Sequence, residues 1–182
     1  MQVLKKEIIV ITGGPGTGKS TIIDGLLEKG FSCYPEISRE VILEAKKQGI
    51  DQLFLTEPLL FSQMLLDGRL QQYQSAHQEE NSPVFIDRGI PDILAYMHFI
   101  GDKYPDHFDQ HCHETRYHKV FVLPPWEEIY ESDEERYENF EEARIIYKHL
   151  KETYQKYGYS LIEVPKGTVD NRILFILEHL SK

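Results

Sequence analysis

Apolar residues along this chain recur in two rhythms. Short runs rich in β-branched residues occupy positions 7–12 (EIIVIT), 84–86 and 119–123, and a last extended run covers 160–164. Unbroken apolar runs of this length, bounded by Gly or Pro, have the pattern of buried strands in a parallel sheet. Between them the spacing changes to three and four. Ile22, Ile23, Leu26 and Leu27 predict a helix over 20–29, followed by Gly30 where a helix C-terminal glycine belongs. Further helices are predicted over 38–48 and 58–78, the second with Thr56 as its N-cap and Pro58 just inside. Residues 31–34 are extended, and Asn81, Ser82 and Pro83 break the chain before the third strand.

Strands that alternate with helices predict an α/β fold: a mainly parallel five-stranded sheet covered on both faces, a three-layer αβα sandwich. Binding sites in such sheets lie at the carboxyl ends of the strands. That rule puts the turn after Thr12, Glu36, the Asp87-Arg88 pair and the 165–171 loop on one rim. At 182 residues one domain spanning 1–182 is expected, with no internal repeat or low-complexity tract.

The turn after the first strand carries the decisive chemistry. Gly13-Gly14-Pro15-Gly16-Thr17-Gly18-Lys19-Ser20, followed by Thr21, matches the phosphate-loop pattern, and it lies between a predicted strand and a predicted helix as that pattern requires. The glycines let successive N–H groups curl inward around an anion, and the helix that follows adds the positive end of its dipole. Lys19 reaches the β- and γ-phosphates, and the Ser20 hydroxyl is placed to ligate Mg²⁺. The expected cofactors are therefore ATP and Mg²⁺. Asp87 ends the buried strand beside this loop, where P-loop proteins commonly put the carboxylate that holds the metal or its waters.

The phosphate loop, Pro35-Glu36-Ile37-Ser38-Arg39, Asp87-Arg88-Gly89-Ile90-Pro91-Asp92 and the Val164-Pro165 ending of the last strand together resemble the NadR-like AAA domain family. These are small kinase-like ATPases that include a ribosylnicotinamide kinase. The resemblance covers most of the chain and implies a P-loop NTPase fold with a helical lid. It implies Asp87 as the Mg²⁺ or general-base carboxylate, Arg88 as a phosphate or acceptor contact, and Glu36 and Arg39 facing the acceptor. Glu36 has a second reading, as an acid complementing a helix dipole.

Residues 127–142 hold nine acidic residues and a single basic one, Arg136. Ser132 and Glu135 have capping-box spacing, which predicts a helix running from there towards Tyr157. On one continuous helix, Arg136 and Arg144 face the same cleft and reach a transferring phosphoryl group as lid arginines do; their alternative is pairing with the neighbouring glutamates. Trp126 is expected to serve packing or a lid hinge. His107, His111, His113 and Cys112 do not have the spacing of zinc ligands.

Composition narrows the partners. A formal charge of -10, from 30 acidic against 20 basic residues, weighs against duplex nucleic acid, since phosphate binding needs a basic face. Hydrophobic residues at 41% fit a globular chain, and no stretch has the length of a membrane span or a signal peptide's apolar region. A cytoplasmic protein with reduced Cys33 and Cys112 is expected. The expectation is a phosphotransferase acting on a nucleoside-like or other small hydroxyl or phosphate acceptor. The competing class is a nucleotide-dependent switch with slow hydrolysis, although no Asn-Lys-x-Asp guanine-reading segment is present.

Overall fold

The computed structural model describes residues 6–130 and 138–180. Five strands, β1 (Ile8–Gly13), β2 (Ser32–Tyr34), β3 (Val84–Asp87), β4 (Lys119–Leu123) and β5 (Leu161–Glu163), form one sheet in the order β2-β3-β1-β4-β5. Every neighbouring pair is parallel. The strands alternate with helices α1 (Lys19–Glu28), α2 (Ser38–Lys47), α3 (Leu53–Thr56), α4 (Pro58–Gln78), α5 (Ile90–Ile100), α6 (Asp106–Glu114), α7 (Phe140–Lys156) and α8 (Val169–Glu178), and a 3-10 turn covers Glu127–Ile129.

The period-two alternation of each strand divides the core into two layers. On one face Ile8, Val10, Val84, Ile86 and Val120 pack with Leu66, Ile93, Leu94, Met97 and Tyr154 from α4, α5 and α7. On the other, Ile9, Ile11, Phe85 and Phe121 pack with Ile22, Leu26, Ile173 and Ile176 from α1 and α8. All of these are at most 2% exposed, and truncating any of the large ones to Ala removes about 2 to 5 kcal/mol. The result is the expected αβα sandwich, with a sheet that is wholly parallel.

Two predicted helix starts are corrected. The Ser132–Glu135 capping box lies outside the described residues, but the helix it was expected to open does not run on unbroken: Asn139 is extended, with ψ 176°, and α7 starts at Phe140. There the Asn139 side chain accepts from the Glu142 N–H at 2.9 Å and Glu142 accepts from the Asn139 N–H at 2.7 Å. That second box, seven residues on, does what the first was expected to do. Thr56 does not cap α4; it closes α3, and Glu57 is the N-cap, without a side-chain bond.

Candidate nucleotide and acceptor site

β1 is the central strand, hydrogen-bonded to β3 on one side and β4 on the other, and it runs directly into the glycine turn. Gly16 and Gly18 have φ of 68° and 85°, backbone that only glycine adopts without strain, and α1 starts at the next residue. Lys19, 8% exposed, donates to the Gly14 carbonyl at 2.9 Å, and the Thr17 hydroxyl donates to the same oxygen at 3.0 Å. Burial, helped by the like charge of Arg88, lowers the Lys19 ammonium to about 8, against the pull of Asp87 and Glu36. Ser20 and Thr21 stand exposed in the first turn of α1. The start of α7 lies over the loop, and a Cβ on Gly14 would come 3.2 Å from the Ala143 carbonyl oxygen.

Asp87 is in register with Ile11, two residues before Gly13. It is 3% exposed, and its Oδ1 has no hydrogen-bond partner. Burial pushes its carboxyl up to about 6, with Lys19 pulling the other way. A buried, unpartnered carboxylate oxygen at the end of β3 and an exposed Ser20 hydroxyl in the first turn of α1 are oxygen donors of the kind Mg²⁺ takes.

The next residue, Arg88, takes the left-handed backbone (φ 71°), which turns its side chain back across the sheet end. Arg88 Nε lies 2.5 Å from Glu36 Oε2, Nη1 donates to the Tyr96 hydroxyl at 3.3 Å, and Nη1 stands 3.6 Å from Asp92. Glu36 is also held by Arg69 of α4, whose Nη2 donates to Oε1 at 3.1 Å while Nη1 donates to the Gly89 carbonyl at 3.0 Å. The Ser38 N–H donates to Glu36 at 3.1 Å where α2 begins, which is the placement the dipole reading of Glu36 calls for. Burial alone would raise the Glu36 carboxyl, but the Arg69 and Arg88 guanidiniums hold it below the usual carboxylate range. Beneath them Asp92 accepts from Thr12 and Tyr154 at 2.5 Å each and from the Gly89 N–H at 2.9 Å, tying the turn to β1 and α7.

The remaining expected site residues are dispersed. Arg39 is exposed in the first turn of α2. Arg144 is exposed and donates to Glu141 at 3.2 Å; with Pro125, Phe140, Tyr147 and Lys166 it lines an open hollow of about 450 Å³. Arg136 lies outside the described residues. The pairing of Arg136 and Arg144 on one helix fails, because the extended Asn139 separates them. Sequence reasoning missed Arg69, Asp92, Tyr154 and Arg172. Arg69 had a signal: it shares the buried face of α4 with Leu65, Leu66, Gln72 and Ala76, and a charge on an apolar stripe implies a buried partner.

A parallel sheet in this order, whose central strand feeds a phosphate loop, defines a P-loop NTPase. A family model described as an AAA domain matches residues 8–172, so the chain belongs to that AAA domain family, in line with the resemblance carried by its motifs. Among solved structures, deoxyadenosine kinase from M. mycoides with bound dATP is 20% identical, with a TM-score of 0.70 over 97% of this chain and 100% of that one. The NadR protein in complex with NR is also 20% identical, with a TM-score of 0.68 over 97% of this chain and 52% of the NadR chain. Thymidylate kinase from Candida albicans is 20% identical at a TM-score of 0.64, covering 97% and 91%. These likenesses establish the shared fold. No curated protein sequence matches the chain. No described helix is long and apolar enough to cross a membrane.

Proposed function

We propose that this protein is an ATP- and Mg²⁺-dependent kinase that transfers the γ-phosphoryl group to a hydroxyl of a small, nucleoside-like acceptor, the whole chain acting as one P-loop domain. The observation that carries this reading is the Glu36–Arg88 pair, 2.5 Å apart, which stands on the same rim as the phosphate loop and one residue from Asp87. A carboxylate held by two guanidiniums on that rim gives a phosphotransferase a group to seat an acceptor hydroxyl and cations to meet its phosphoryl group. The fold shared with a deoxyadenosine kinase, NadR and a thymidylate kinase supports the same class.

In this reading the loop N–H groups and Lys19 hold the β- and γ-phosphates, and Ser20 and Asp87 would hold Mg²⁺, which would supply charge neutralisation when bound. Glu36 accepts the proton of the acceptor hydroxyl as the oxygen–phosphorus bond forms and the bond to the β-phosphate oxygen breaks, leaving ADP. A weakly basic Glu36 suits this chemistry, since phosphoryl transfer depends on positioning and charge neutralisation more than on a strong base. Arg88, freed in part from Glu36, steadies the acceptor oxygen or the transferring group. Arg39 on the acceptor side and Arg136 and Arg144 on the lid side are the further cations assigned to the substrates.

ADP production measured across nucleosides, ribosylnicotinamide and nucleoside monophosphates tests the class. One acceptor is expected to raise turnover well above the reaction with water. Mg²⁺·ATP is expected to raise the melting temperature, and Lys19→Ala to remove most of that gain. If no acceptor stimulates turnover while a protein or lipid partner changes nucleotide affinity, the protein is a switch instead.

A further inference from the structure

Among the described residues, one buried cation near the phosphate loop has no counter-charge. Arg172, in the first turn of α8, is 3% exposed. Its Nη1 donates to the Thr17 carbonyl at 3.0 Å, and its guanidinium carbon lies 5.5 Å from the centre of the Trp126 ring. Its Nε and Nη2 are buried without a partner, and among the described residues it forms no ion pair. Burial lowers its affinity for the proton. A guanidinium in this state is unfavourable in the free protein, because two N–H donors and a charge have left water with little in return.

The one bond it makes is to the phosphate loop itself. The Thr17 carbonyl and the Gly18 N–H belong to the same peptide unit, and Gly18 is one of the residues whose N–H the phosphate-loop pattern turns inward to the anion. A charged donor on the carbonyl end fixes that unit in orientation and draws electrons from it, making the N–H at the other end a stronger donor. The fit is close: a Cβ on Gly18 would come 2.9 Å from Arg172 Nη1. Trp126 backs the guanidinium, so the aromatic ring after β4 holds the cation against the loop.

We propose that Arg172 is a positioning residue of the phosphate loop, which clamps and polarises the Thr17–Gly18 peptide from behind and whose buried charge is answered through the loop only when a polyphosphate is bound. The inference rests on the nucleotide site proposed above and extends it: the group Arg172 serves is the phosphate chain, not the base.

Two ligands separate these parts, Mg²⁺·ATP and inorganic tripolyphosphate, each titrated by calorimetry into the wild-type chain, Arg172→Met and Arg172→Lys, with melting of the free proteins alongside. Arg172→Met is expected to melt at or above the wild-type temperature, since it removes an uncompensated charge. Both ligands should bind more weakly by the same factor, about tenfold, as befits the loss of one charge-assisted contact. Arg172→Lys should recover part of the affinity, having the charge but not the planar fork. The decisive number is the tripolyphosphate Kd in whichever variant folds. A value within twofold of wild type makes Arg172 a strut of the fold and overturns the proposal, and so does a loss confined to ATP, which would turn Arg172 towards the base. A wild-type chain that binds neither ligand overturns the nucleotide reading itself, and this inference with it.

Discussion

The proposed phosphate end of the site and the proposed acceptor end are built on opposite electrostatic plans. At the phosphate end the charges stand apart from partners. Asp87 Oδ1 has none, Arg172 leaves two nitrogens bare, and Lys19 borrows only a backbone carbonyl. At the acceptor end Glu36 is shared by Arg69 and Arg88, and Arg88 also approaches Asp92. Bare buried charge is unfavourable until a ligand answers it, so the phosphate end is stabilised by being filled. Internally paired charge is already satisfied, so an acceptor must displace one partner from another. The first plan favours tight binding of an obligatory ligand. The second favours discrimination, because only an acceptor that replaces the lost contacts gains anything by entering.

Substitutions on the two sides should therefore diverge. The largest effect is expected from Asp87→Asn, which should lower kcat about 10²-fold or more through lost charge stabilisation while leaving the free protein as stable as wild type or more so. Turnover and melting curves on the same preparations would show it, and a strong loss of stability would mean that Asp87 is paired in a way the phosphate-end plan denies. Arg69→Met reverses the pattern. It leaves Glu36 one partner short and removes one of the two donors to the Gly89 carbonyl, and with Glu36 19% exposed the loss should be about 2 kcal/mol in urea unfolding, along with a raised KM for acceptor. Next in size is Tyr154→Phe, which removes one of the three donors on buried Asp92 and should cost about 1 kcal/mol with kcat for ATP turnover changed little, read by the same unfolding experiment.

The smallest effect is a proton count. The folded-state Asp87 carboxyl titrates at about 6 rather than the ordinary value, so the free folded chain binds more protons than the unfolded chain between about 4 and 6, and this group's contribution to stability falls as pH rises through that window. Lys19 titrates at about 8 against 10.5, so its contribution rises with pH between those values. Mg²⁺ favours ionised Asp87 and phosphate favours protonated Lys19. Nucleotide binding should thus release protons below about pH 6, take them up above about pH 8 and exchange few at neutrality. Calorimetry in buffers of different ionisation enthalpy gives the count, and the opposite signs would mean that these two groups do not meet the ligand.

What was legible in the sequence was what is local. The phosphate loop is eight consecutive residues between a strand and a helix, and the αβ alternation follows from short apolar runs such as 8–11, 84–86 and 120–123, so neither needed tertiary knowledge. Glu36, Arg88 and Asp87 could be placed on one rim because strand ends converge in this fold. Their pairing was not legible, because Arg69 meets Glu36 from 33 positions away and Arg172 meets Thr17 from 155. The lid helix was misplaced for the opposite reason. Ser132–Glu135 and Asn139–Glu142 are equivalent local signals, and the packing of Ala143, Ile146 and Leu150, not the capping pattern, marks where α7 is held.

The central position of β1 has a consequence for synthesis. Its edges are completed only by β3 and β4, and the contact between Ile8 and His118 spans 110 positions. At about 5 to 20 residues per second, a ribosome takes roughly 5 to 20 s to make the intervening chain. Until Val84 is made the six residues of β1, four of them Ile or Val, have neither neighbour, and until Lys119 is made they lack the second, so they form the kind of β-prone segment that pairs with other chains. The strand that anchors the phosphate loop is thus made some 110 residues before its second neighbour, and substitutions that delay or weaken β4 are expected to lower yield during expression.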